Sequence, residues 1–102
     1  MSTYTPWGSS QYREKHFRGC ITYCTASHGG IHISPTLKEH LSGYTQSRGI
    51  EYGKGLWYEE DMDYILPLYE LCKIPKFAEA LSERYKIPSI DQVKSLFPDY
   101  EE

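Results

Sequence analysis

The chain has 102 residues, enough for one domain that buries roughly two-thirds of the surface its unfolded form exposes. With 39% hydrophobic and 25% charged residues it is too apolar and too aromatic to be a disordered chain. The formal net charge of -3 lacks the basic excess of a generic nucleic-acid binder, no apolar run approaches the roughly 18 residues that span a bilayer, and no basic start leads into an apolar signal segment. These features predict a soluble, cytoplasmic protein with neither a membrane nor a nucleic acid as partner. The fold class expected is α+β: a small antiparallel N-terminal sheet packed with a helical C-terminal half. Residues 1–102 form a single domain, mainly strand and loop with one short helix over 1–58 and helical over 59–98.

Residues 1–18 are polar and aromatic with weak periodicity, and read as an extended segment that pins Trp7 against the core. Arg13, Lys15, His16 and Arg18 are its basic cluster, either a solvated surface or a phosphate contact. Gly19 to Ala26 is rich in β-formers, and Ile31-His32-Ile33 resumes the alternation, so a β-hairpin is predicted. Ser27-His28-Gly29-Gly30 is its turn, with both glycines free to take positive φ. Ser34 then caps a short helix with Pro35 in its first turn, running to about Leu41 and ended by Gly43.

Residues 43–55 hold four glycines and read as a loop leading into a short strand around Gly55 to Tyr58. From about Glu59 to Lys73 the period becomes helical, with Met62, Ile65, Leu66, Tyr69 and Cys72 on one face and Pro67 predicted to kink or divide the helix. Pro75 opens the next helix, with Phe77, Ala78, Leu81 and Tyr85 on one face. Ser89 and Gln92 form a capping box for the last, with Ile90, Val93, Leu96 and Phe97 inward and Pro98 as the stop.

Cys20 and Cys24 share a strand face but stand roughly 13 Å apart at about 3.3 Å per residue. A disulfide needs Cα atoms within about 7 Å, so reduced and mostly buried thiols are expected. The same spacing separates His28 from His32 by roughly 13 Å, beyond a shared zinc with bonds near 2 Å, so no metal or cofactor is assigned. Ser27 and His28, as strand neighbours, face opposite sides and make a poor nucleophile pair, and no GxSxG elbow exists. His28-Gly29-Gly30 is similar to oxyanion segments of some hydrolases, and successive glycine amides can also form a nest for phosphate or carboxylate. Glu59, Glu60, Asp61 and Asp63 stand at the predicted helix start, where negative charge suits the macrodipole. The ten tyrosines suit a protein-binding surface.

Thr5-Pro6-Trp7-Gly8, Thr25-Ala26-Ser27-His28-Gly29-Gly30 with Ile33-Ser34, and Trp57-Tyr58-Glu59-Glu60-Asp61 with Asp63 occur in this order over residues 5–72. Together they resemble an uncharacterised domain family of bacteriophage and plasmid or other mobile-element proteins. The resemblance implies an accessory protein that binds and inhibits a host or defence protein. It also implies that Ser27, His28, Gly29 and Gly30 form one site with Trp57, Tyr58, Glu59, Glu60 and Asp61. The helices from about Lys73 onward lie outside these motifs and are expected to be particular to this chain. The function expected is protein–protein binding without catalysis. The alternative is a small hydrolase or nuclease-like enzyme using His28 with Glu59 or Asp63. A third option is an anion held on the Gly29 and Gly30 amides.

Overall fold

The computed structural model describes residues 4–101. The described residues begin with a two-stranded hairpin, β1 (Tyr4–Thr5) and β2 (Gly8–Ser9). Thr5 Oγ1 accepts from the Trp7 amide at 3.1 Å and donates to the Gly8 carbonyl at 2.9 Å, while Gly8 takes a φ of 118° that favours glycine. The Thr5-Pro6-Trp7-Gly8 motif is therefore a self-bonded turn that presents Trp7. Strands β3 (Tyr12–Phe17), β4 (Cys20–Cys24), β5 (Gly29–Ile33), β6 (Ile50–Glu51) and β7 (Leu56–Glu59) form an antiparallel sheet in the order β3-β4-β5-β7-β6. A 3-10 turn over Leu37–His40 and helix α1 (Gly43–Arg48) separate β5 from β6. Helices α2 (Ile65–Leu71), α3 (Pro75–Leu81) and α4 (Ile90–Leu96) follow. The architecture is α+β, with helices concentrated in the later half.

Strand alternation sends successive side chains to opposite faces, and the register aligns them in rows. On the helix-covered face, Cys20, Ile33 and Leu56 form one row and Thr22, Ile31 and Tyr58 the next. These rows pack on Leu37, Leu41, Leu68, Leu71, Leu81 and Tyr85. Full burial of an aliphatic or aromatic side chain contributes about 1.5–3 kcal/mol, so this core outweighs exposed ion pairs at about 0–1 kcal/mol each. Burial first, and then neighbouring Cys72, pushes the Cys20 thiol up to about 12; burial pushes Cys72 up to about 11. All three thiols are free. On the opposite face, Trp57 contacts the rings of Tyr23, at 5.2 Å, and His32, at 4.5 Å, and Trp7 meets Trp57 edge-on at 6.0 Å.

A second core joins Ile65 and Leu66 to Val93, Phe97 and Tyr100. Glu70 links it to α1: its carboxylate accepts from the Ser42 amide and hydroxyl (2.8 and 2.7 Å), Thr45 Oγ1 (2.9 Å) and the Tyr100 hydroxyl (2.6 Å). Four donors satisfy a buried charge that would otherwise be costly.

Several expected elements differ. Gly43 begins α1 instead of ending a helix, because Ser42 caps it by accepting from Thr45 N, and residues 43–55 hold a helix and a strand as well as loop. Ser34 Oγ accepts from the Leu37 amide at 3.1 Å, but the N-cap position of the 3-10 helix is Thr36, whose side chain makes no cap bond. The segment from Glu59 is strand end and turn; the helix starts at Ile65, with no acid in its first turn. Helix-dipole complementarity therefore does not explain the acidic run. Pro67 falls in the first turn of α2, where its missing N–H has no intrahelical partner to lose, so it need not kink the helix. Met62 and Leu96, expected inward, are exposed. The capping box of α4 is formed as expected.

Candidate functional site

The Ser27-His28-Gly29-Gly30 segment is not a glycine turn. β4 and β5 pair through Cys24 opposite Gly29, and the reversal is made by Thr25–His28. The Thr25 amide donates to the His28 carbonyl at 2.7 Å; Thr25 Oγ1 donates to that carbonyl at 3.1 Å and accepts from the His28 amide at 3.0 Å. A threonine hydroxyl thus closes the hairpin and leaves Ser27 and His28 exposed at its tip. Gly29 and Gly30 lie within β5, and neither has positive φ. The nest and oxyanion readings fail on this point, since successive strand amides point to opposite sides.

Close approach explains the glycines better. A Cβ on Gly30 would strike the Trp7 ring and stand 2.5 Å from the Tyr58 carbonyl oxygen. A Cβ on Gly29 would stand 3.1 Å from Glu60 Oε2. The two expected segments meet here: Gly30 lies opposite Glu59, and the Glu60 amide donates to the Gly29 carbonyl at 2.9 Å. The Tyr64 amide bonds back to the Glu59 carbonyl at 3.0 Å, curling the acidic run beside the hairpin tip.

Between them lies a polar depression of about 530 Å³, with Cys24, Thr25, Ser27, His28 and Gly29 on one side and Glu59, Glu60 and Asp61 on the other. Glu60 Oε1 pairs with Arg84 at 3.6 Å, while its Oε2 is buried without a hydrogen-bond partner. Arg84 also pairs with Glu14 at 3.2 Å. Burial works against its charge, but its bond to Tyr85 and the fields of Tyr85 and Glu60 raise its pKa overall. Nothing local in the sequence points to Arg84, which is brought in by tertiary packing.

Other expected site residues lie elsewhere. Trp57 and Tyr58 point to opposite faces and are buried, Tyr58 donating to the Thr45 carbonyl at 2.6 Å. Burial and the nearby Glu70 and Asp63 raise the Tyr58 pKa. Gly30 is buried, and Asp63 does not line the depression. His32 donates through Nε2 to the Lys54 carbonyl at 2.6 Å, a structural bond. Among the described residues no group of three or more His, Cys, Asp or Glu is placed to hold a metal. The tyrosine surface is smaller than expected, since only Tyr4, Tyr12 and Tyr52 are exposed.

The sequence matches, over residues 1–102, the family described as Domain of unknown function (DUF7007). The chain belongs to this family. The DUF7007 match runs through α3 and α4, so these helices are part of the family pattern and not an addition particular to this chain. No curated protein and no solved structure matches the chain.

Proposed function

We propose that this DUF7007 chain is a non-enzymatic accessory protein of phage or mobile-element type. It docks on a basic patch of a host or defence protein and inhibits it. The carrying observation is the end of the sheet at the hairpin tip, where Glu59, Glu60 and Asp61 face exposed His28 across the depression. Exposed Tyr12 stands on the same row, opposite Cys24, and exposed Met62 follows the acidic run. Carboxylates steer a basic partner, and flanking tyrosine and methionine supply the apolar contact that interfaces favour. The reading is tested by placing a photo-crosslinking residue at Ser27 in the host cell and identifying the captured protein. Joint Glu59→Lys and Asp61→Lys substitution is expected to weaken that complex about tenfold or more and to remove its salt sensitivity. Equal binding by the charge-reversed variant would overturn the proposal.

The alternative, a hydrolase or nuclease-like enzyme using His28 with Glu59 or Asp63, has less support. The His28 side chain makes no hydrogen bond to a carboxylate among the described residues, and Asp63 lies outside the depression. General acid–base work needs partners within hydrogen-bond reach of a common substrate atom.

A further inference from the structure

A second cavity, of about 880 Å³, opens between the β3–β4 turn, the 3-10 segment and the start of α3. Its volume is within the range of small-molecule sites, about 300–1,000 Å³. Its character is opposite to that of the acidic depression. Arg18, His40 and Lys76 line it, no acidic residue does, and none of the described ion pairs engages those three side chains. Two cationic groups, Arg18 and Lys76, gathered without a carboxylate on a chain of net charge -3 form a local field that the composition conceals.

The apolar wall is equally specific. Phe17 and Phe77 stack with centroids 4.3 Å apart and planes at 6°, and His40 meets Phe77 edge-on at 5.9 Å. Lys76 Nζ lies 5.3 Å from the Phe77 ring centre, so its charge sits at the boundary between the aromatic wall and the basic rim. Gly19, at φ 95°, turns the chain so closely against Ser34 that a Cβ would come within 2.6 Å of Ser34 Oγ. This turn carries Arg18 to the mouth. The basic cluster seen in the sequence is thereby divided: Arg13 and Lys15 face the other side of the sheet, and His16 turns to Thr22.

We propose that this cavity binds a small ligand of nucleotide class, with phosphate held by Arg18 and Lys76 and the flat base against Phe77 and His40. Cationic side chains supply charge-assisted bonds to phosphate, and aromatic rings supply sequence-tolerant stacking on a base. The site is separate from the acidic depression and does not depend on its function.

The test is titration of the whole chain with AMP, adenosine and inorganic phosphate, followed by calorimetry and by amide chemical shifts. AMP is expected to bind and to shift the amides of Gly19, Leu37 and Phe77, while adenosine and phosphate alone bind at least about tenfold more weakly, since each meets half of the site. Arg18→Gln with Lys76→Gln, both exposed positions, is expected to weaken AMP about tenfold or more with an unchanged melting temperature in its absence. No binding of AMP at millimolar concentration overturns the proposal. So does phosphate binding as tightly as AMP, or AMP binding unchanged in the double variant.

Discussion

Gly30 shows how one missing side chain positions two elements. The Trp7 ring and the Tyr58 carbonyl occupy the space where a Cβ would stand, and the carbonyl belongs to a strand that cannot retreat without breaking its ladder. Gly30→Ala is therefore expected to displace Trp7 and to destabilise the fold by about 1–3 kcal/mol, the usual cost of overpacking. Gly29→Ala meets the end of the flexible Glu60 side chain instead and is expected to cost well under that. Denaturant unfolding, with tryptophan fluorescence reporting on the contacting pair Trp7 and Trp57, separates the two. Equal losses would show that the Trp7 contact does not hold the hairpin. At this scale the sequence marked the Gly-Gly pair as a positive-φ turn, whereas the structure uses Gly30 for close approach within a strand. A Gly-Gly pair signals either positive φ or close approach, and only tertiary contacts distinguish them.

At the scale of elements, legibility followed the locality of the signal. Helices α3 and α4 carry their own start and stop residues, Pro75, Ser89 with Gln92, and Pro98, so they were readable without tertiary knowledge. Ser89→Ala removes the acceptor that holds the Gln92 amide at 3.2 Å and is expected to lower stability by about 0.5–2 kcal/mol. Chemical denaturation measures this, and an unchanged midpoint would mean that packing of Val93 and Phe97 alone holds α4. The boundary between β7 and α2 was illegible for the converse reason. Ile65, Leu66, Pro67, Leu68, Glu70 and Leu71 are all buried, so α2 shows no polar face, and the acids before it mimic a helix start. Helix α1 was missed because its stabilising partner, Glu70, lies 28 positions from Ser42.

Across the whole molecule, His16 couples the sheet edge to the helical layer. The register shift between Lys15 and Phe17 leaves His16 as the extra residue; its Nε2 lies 2.6 Å from Thr22 Oγ1, which is 2.8 Å from the Tyr85 hydroxyl beyond α3. Burial, and to a lesser degree Arg84, lowers the His16 pKa below its ordinary 6.5, against the opposing fields of Glu14 and Glu83. The folded state thus binds the proton less readily than the unfolded state. Its contribution to stability is fully present above pH 6.5 and is lost as pH falls through the depressed folded value. Asp99, held low first by its bond from Tyr44, acts in a separate window, below its ordinary value of 3.8. Unfolding free energy is therefore expected to decline as pH falls below 6.5, and His16→Gln is expected to flatten that decline whatever its effect on stability at neutral pH. Denaturation midpoints of both proteins between pH 7.5 and 4.5 provide the measurement, roughly spanning the ordinary histidine range. Parallel slopes would show that the proton is taken up elsewhere and that the link from His16 through Thr22 to Tyr85 does not govern acid stability.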